Sequence, residues 1–207
     1  MKPFKKLFPL FFSVLLACSC ASSANTDLNI EKKVAGLLSN MTLDEKIGQM
    51  TLISSTDLPL DGEFAEALRK GQVGSVINEV DPARVNALQR MAVEESRLGI
   101  PLIVGRDVIH GFKTIFPIPL GLAATFNPTL VEQGARVAAL EATAAGVRWT
   151  FSPMLDITRD PRWGRIAEGF GEDTYFTSAM GVAMIRGYQG GEPGDPSNMA
   201  ALSLIHI

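Results

Sequence analysis

Between Phe151 and Arg165 the chain reads Phe-Ser-Pro-Met-Leu-Asp-Ile-Thr-Arg-Asp-Pro-Arg-Trp-Gly-Arg, and here the residue types suited to recognition chemistry are densest. A short apolar run ends, and the ten residues from Asp156 then hold three arginines (Arg159, Arg162, Arg165), two aspartates (Asp156, Asp160) and Trp163. Pro153, Pro161 and Gly164 keep this cluster in irregular backbone. Arginine forks grip neighbouring oxygens bidentately, and an aromatic face covers the apolar side of a ring. Sugars present both kinds of surface. The same residues also suit a salt-bridge knot that only orders a loop, because ion-pair networks collect them too. A second polar cluster follows Ile103-Val104-Gly105, where Arg106 and Asp107 end a run of branched residues. A carboxylate at that point can accept hydrogen bonds from two sugar hydroxyls, or it can cap a short helix starting at Val108.

The wording of these stretches goes beyond their chemistry. DITRDPRWGRIAEGFGED (156–173) resembles the signature of glycoside hydrolase family 3, in its bacterial periplasmic β-glucosidase branch. MTLDEKIGQM (41–50), IPLIVGRDVIHGFKTIFPIPLGLAATFNP (100–128) and the continuation EGFGEDTY (168–175) match the same family in the same order. The resemblance covers roughly residues 28 to 200. It implies an α/β fold, the N-terminal and incomplete part of a (β/α)8 TIM-type barrel. It implies hydrolysis of terminal non-reducing β-D-glucosyl residues by a retaining mechanism, with no cofactor and no metal. By resemblance, Asp107 and Arg165 bind the sugar held at the cleavage position. The family's nucleophile, an aspartate, and its acid/base fall beyond Ile207, so no catalytic residue is assigned within the chain.

Other residues take lesser roles. Arg162 and Trp163 are read as bracing the loop, and Asp160 as pairing with an arginine. Asp156, Arg159 and Glu168 either line the site or order it. Glu172 and Asp173 suit a helix start, where carboxylates meet the positive end of the dipole. His110 reads as a hydrogen-bonded wall residue. The family's lysine–histidine pair lies in a block that opens near residue 200. Met199-Ala200-Ala201 enters that block; Leu202 to Ile207 departs from it, and no lysine precedes His206. Residues 202–207 therefore read as a non-native tail, and His206 is not the family's histidine.

The related N-acetylglucosaminidases use a histidine-bearing loop that does not occur here. β-Xylosidases share DPRWGR but differ after it, and EGFGED favours the glucosidase branch. The alternatives are a β-xylosidase or other glycosidase of the family, or a non-catalytic, lipid-anchored sugar-binding protein.

The 207 residues carry 19 basic and 22 acidic side chains, a net charge of −3, which gives no electrostatic reason to expect nucleic acid. Met1 to Lys6 holds three lysines, Leu7 to Ala17 is apolar, and small residues follow. This is a secretory leader, residues 1–24, too short to anchor by spanning a bilayer, which takes about 20 apolar residues. Leu15-Leu16-Ala17-Cys18 resembles the lipobox of bacterial lipoproteins; the other reading is ordinary cleavage after Ala21 or Ala24. The expected location is the periplasm, with membrane association only through the lipid. Both cysteines, Cys18 and Cys20, lie in the leader, and His110 and His206 are the only histidines. A disulfide framework and a zinc site of usual make-up are thereby excluded from the folded part.

The remainder, 25–201, must position the two clusters. Ile30, Val34, Leu37 and Leu38 recur at helical spacing, which predicts a helix over 29–40. Thr42 and Glu45 form a capping box that starts a helix to about Gln49. Met50–Ile53 reads as a buried strand, Phe64, Ala67 and Leu68 as a helical face, and Val73–Ile77 as a second apolar run. Asp81-Pro82 opens a long helix to about Leu98 with Val85, Leu88 and Met91 inward. Pro101–Val104 is a strand, Asn127-Pro128 starts a helix to Ala145, Trp149–Ser152 is a strand, and 172–187 is helical. Short strands alternating with longer helices indicate a parallel sheet whose chemistry gathers at the C-terminal strand ends. A whole barrel takes about 250 residues, so the product 25–207 is expected to be an insoluble or molten, inactive piece.

Overall fold

The structure, a computed structural model, describes residues 29–192 and 194–203. The leader with Cys18 and the stretch with His206 lie outside the described residues. The chain divides into two units, the first ending at Lys46 and the second starting at Ile47.

In the first unit, residues 29–40 form helix α1, and its apolar stripe of Ile30, Val34, Leu37 and Leu38 is exposed. Helix α2 (Leu43–Gln49), which continues past Lys46 into the second unit, begins at the predicted capping box. Thr42 N donates to Glu45 Oε2 at 2.8 Å, and Glu45 N donates to Thr42 Oγ1 at 3.2 Å.

In the second unit, strands β1 (Leu52–Ser54), β2 (Ser75–Ile77), β3 (Ile103–Arg106), β4 (Trp149–Thr150) and β5 (Ala200–Ala201) form one sheet in chain order. Every pairing is parallel, with Ser75 between Leu52 and Ile103, and Trp149 between Gly105 and Ala200. Parallel neighbours need long crossovers, and helices supply them. They are α3 (Glu63–Arg69), α4 (Pro82–Arg90) with a following π turn (Met91–Glu95), α5 (Pro119–Ala123) with α6 (Pro128–Ala144), and α7 (Thr174–Gln189). Sequential parallel strands with helical crossovers are the winding of a (β/α) barrel, so the expected fold class holds over four βα steps and a fifth strand. Val76 and Val104 from the strands pack with Leu68, Leu88, Val131, Met180 and Met184 from the helices in one buried core.

The starts of α4 and α6 agree with the sequence, and α7 starts at Thr174 rather than 172, because each carries its own cap. Asp81 Oδ1 accepts from Ala83 N at 3.0 Å, Asn127 Oδ1 from Thr129 N at 3.1 Å, and Asp173 Oδ1 from Phe176 N at 2.6 Å. Strand limits differ. The first strand is not the buried Met50–Ile53 but Leu52–Ser54, because Met50 N and Thr51 N close the turn after α2 onto Ile47 O and Gly48 O. Leu52 and Ser54 are exposed because β1 has only β2 as a neighbour among the described residues. The third strand begins at Ile103 because the Gln89 side chain takes both backbone groups of Leu102, at 2.7 and 2.9 Å. The helix after Asp81 stops at Glu95, with Ser96 extended. Helix α5 and strand β5 have no counterpart in the sequence reading.

Candidate functional site

Asp107 directly follows β3 and is exposed. No helix begins at Val108. The backbone instead forms a tight hairpin bridged between Gly111 and Ile115, and the next helix starts at Pro119, so Asp107 is not a cap. Gly105, two residues before Asp107, is closely packed: a Cβ there would lie 3.0 Å from Phe151 Cζ, and the Phe151 and Trp149 rings pack at a tilt of 57° with centroids 4.6 Å apart.

The loop after β4 carries the arginines. Its ends are anchored by Met154 and Phe170, both buried, and Thr158 N donates to Gly171 O across its neck at 3.1 Å. Asp160 pairs with Arg162 as expected; Nε and Nη2 of Arg162 reach its two oxygens at 2.9 and 2.6 Å. That pair is exposed and contributes little beyond local order. Arg165 is more enclosed. Its Nε donates to Glu168 Oε1 at 2.8 Å and its Nη2 to Glu168 Oε2 at 2.5 Å, a full fork within a single 3-10 turn (Ile166–Glu168). The Glu168 carboxylate, and behind it the charges of Asp107 and Asp156, hold the Arg165 guanidinium above its ordinary value. Arg165 in turn holds the Glu168 carboxyl below its own. Asp107 and the loop that carries Arg165, far apart in sequence, follow the neighbouring parallel strands β3 and β4 at their C-terminal ends. Of the three residues that could line the site or order it, Glu168 orders it, Asp156 stands within charge range of Arg165, and Arg159 is exposed.

The hairpin beside Asp107 is fastened from α6. Lys113 N and Thr114 N donate to Glu141 Oε2 at 2.7 and 2.8 Å, and Thr114 Oγ1 donates to Glu141 Oε1 at 2.6 Å. The Thr114 hydroxyl and backbone hydrogen bonds hold the Glu141 carboxyl low. His110 Nδ1 lies 3.0 Å from the Phe116 carbonyl oxygen, which can only accept, so that nitrogen carries the proton and His110 serves as a wall. A cleft of about 610 Å³ runs beside Asp107, walled by Val80, Arg106, His110, Lys113 and Ile115; it does not reach Arg165.

Below the cleft, Arg106 Nη1 donates to Asn78 Oδ1 at 3.2 Å. Asn78 adopts φ 69°, and the adjoining Glu79 is buried against Arg84 at 2.8 Å. Arg84 also donates to the carbonyls of Ser55 and Leu58 at 2.7 and 2.8 Å, tying the ends of β1 and β2 together. The sequence reading passed over this knot; an acidic residue embedded in the apolar run Val76-Ile77-Asn78-Glu79-Val80 was its only signal. Among the described residues, no three of His, Cys, Asp or Glu gather as a metal centre would require.

The profile of the family described as "Glycosyl hydrolase family 3 N terminal domain" matches residues 42–202. A "Periplasmic beta-glucosidase" of Salmonella typhimurium is 48% identical over 163 residues, 78% of this chain and 21% of that protein. A "Putative beta-xylosidase" of Formosa agariphila is 36% identical over 189 residues, 82% of this chain and 25% of its own length. A crystal structure of β-glucosidase from Listeria innocua in complex with glucose superposes with a TM-score of 0.73 at 42% identity, over 82% of this chain and 26% of that one. The chain thus spans about a fifth to a quarter of the length of these proteins. With its parallel βα winding and with the DITRDPRWGR loop set beside Asp107, the chain belongs to glycosyl hydrolase family 3, and what it contains is the N-terminal domain region of that family.

Proposed function

We propose that the whole protein hydrolyses terminal non-reducing β-D-glucosyl residues from β-glucosides and oligosaccharides with retention, and that Asp107 and Arg165 hold the glycosyl unit at the cleavage position. The observation that carries this reading is that Asp107 and the loop of Arg165 follow the neighbouring parallel strands β3 and β4 at their C-terminal ends, in a chain 42% identical to a β-glucosidase crystallised with glucose. With Nε and Nη2 committed to Glu168, Arg165 keeps Nη1 as a donor to a sugar hydroxyl. The exposed Asp107 carboxylate is acceptor-only and suits two adjacent hydroxyls. Retention also needs a carboxylate nucleophile and a carboxylic acid about 5 Å apart. On the family's order of motifs those two groups come from sequence after this region, so this part of the protein binds rather than reacts.

Charged hydrogen bonds to a substrate are worth roughly 1.5–3 kcal/mol each. Asp107→Ala in the full-length protein should therefore lower kcat/KM on an aryl β-glucoside at least about tenfold. Unchanged kinetics would remove Asp107 from the site. A β-xylosidase is the second reading, supported by relatives of that name at 36% and 34% identity. The ratio of kcat/KM on aryl β-glucoside to that on aryl β-xyloside separates the two. The protein is proposed to be exported to the periplasm by its leader and held there through acylated Cys18; the Lys-rich start and the Leu-Leu-Ala-Cys box support this, together with the periplasmic name of the Salmonella relative.

A further inference from the structure

Val108, the residue after Asp107, lies beyond the end of β3 and before any helix, so neither a ladder nor a helix satisfies its backbone. It is nonetheless completely buried. Two side chains, remote in sequence, take its peptide groups. Val108 N donates to Thr150 Oγ1, at the end of β4, at 3.1 Å. Val108 O accepts from the hydroxyl of Tyr188, in the last turn of α7. The Tyr188 oxygen also lies 3.2 Å from Ser152 Oγ, which is 3.4 Å from Met184 Sδ. Thr150 and Ser152 are fully buried and Tyr188 is 1% exposed. Thr150 and Ser152 stand two apart, Met184 and Tyr188 four apart, so each pair shares one face of its segment. Burial pushes the Tyr188 phenol up to about 12, so it remains a donor at every working pH.

Buried hydroxyls are costly unless hydrogen-bonded, and apolar residues of the same size would fill this space. Two of them converge on the backbone of Val108, the residue after Asp107, Thr150 on its N–H and Tyr188 on its carbonyl, while Ser152 supports the Tyr188 hydroxyl. We propose that Thr150, Tyr188 and the supporting Ser152 are positioning residues, which fix the backbone at Val108 and thereby aim the Asp107 carboxylate at the hydroxyls of the bound sugar. The proposal rests on the role given above to Asp107. β3, β4 and α7 meet at that peptide, so a shift in any of them reaches the carboxylate, and a misplacement of about 1 Å can cost about a hundredfold in rate.

The test uses the full-length protein. Tyr188→Phe keeps the ring and removes the donor; Thr150→Val keeps the volume and removes the acceptor; Thr150→Ser keeps the hydroxyl. The first two should raise KM for an aryl β-glucoside and lower kcat/KM by about ten- to a hundredfold, and Thr150→Ser should restore most of that loss. In an Asp107→Ala background neither substitution should cost anything further, because both act through the missing carboxylate. Leu88→Val, in the core under α4, serves as a control that loses stability without touching the clamp, and its kinetic constants should stay at the parent's.

Full additivity with Asp107→Ala, or equal kinetic losses from Leu88→Val, would overturn the clamp while leaving the sugar-binding role of Asp107 intact. Unchanged kinetics for Asp107→Ala alone would overturn both. If Tyr188→Phe does not fold, the Thr150→Val and Thr150→Ser pair carries the same comparison.

Discussion

Two nitrogens of Arg165 are committed to Glu168 before any ligand arrives, and this gives the site a pH signature. Glu168 is held below its ordinary value of 4.5 chiefly by the hydrogen-bonded guanidinium. A carboxyl with a depressed folded-state pKa contributes its pairing above its ordinary value and loses it as pH falls through the depressed one. The fork is therefore intact at neutral pH and opens only below 4.5. Glu168→Gln keeps the size but weakens the grip on Arg165, so KM for an aryl β-glucoside should rise severalfold at neutral pH. The gap from the parent should close as the medium is acidified below 4.5, where the parent has lost the same charge. A KM ratio that does not change with pH would show that the charge of Glu168 is irrelevant to the arginine. Both side chains are about a third exposed, so solvent screens the pair and it contributes little to stability. Arg165 and Asp107 were legible in the sequence because they sit inside specific motifs. Tyr188 was not, because a tyrosine in the run Met184-Ile185-Arg186-Gly187-Tyr188 looks like any other core aromatic.

At the scale of elements, α6 and α7 pack closely. Ala135, Ala138, Ala139 and Ala142 are all buried along α6, a stripe of small side chains that lets α7 come near. Gly187 completes it: a Cβ there would lie 2.3 Å from Glu132 O and 2.6 Å from Ala135 Cβ. Two effects oppose one another in Gly187→Ala. Helix propensity favours alanine by about 1 kcal/mol. Overpacking costs about 1–3 kcal/mol, and here the obstructing atoms include backbone that cannot rotate away. Overpacking should prevail, with a net loss of stability seen as a lower midpoint in denaturant unfolding. An unchanged or raised midpoint would mean that the two helices part without cost. The starts of α4 and α6 were predictable to the residue because capping is local chemistry, whereas α7 starts two residues after the expected 172 and the strand limits moved by as much. Strand ends depend on which partner takes each backbone group, and for Leu102 that partner is Gln89, thirteen residues away.

At the scale of the whole molecule, the sheet order β1 to β5 sets Asp107 and the arginine loop on the same end of neighbouring strands. No helix among the described residues is long and apolar enough to cross a membrane. Membrane association, if the leader reading holds, is a matter of the lipid on Cys18. A single acyl chain binds only marginally and stable anchoring needs more than one. Expressed from the native gene in a Gram-negative host, the protein should fractionate with membranes, and Cys18→Ser should release it to the soluble fraction. Unaltered partitioning of that variant would refute acylation.

The sequence by itself determined the βα alternation, the helix caps, the family and the two residues expected to meet a sugar. Each of these is carried by local spacing or by a contiguous motif. Only the tertiary structure decided that Asp107 is not a helix cap, that Arg165 is held by Glu168 within charge range of Asp107, and that Thr150 and Tyr188 meet at the peptide of Val108. Those outcomes depend on which strands become neighbours and on how closely α7 packs on α6. Parallel pairing joins groups separated by a whole crossover, and no pattern of period two or 3.6 records where such a crossover returns.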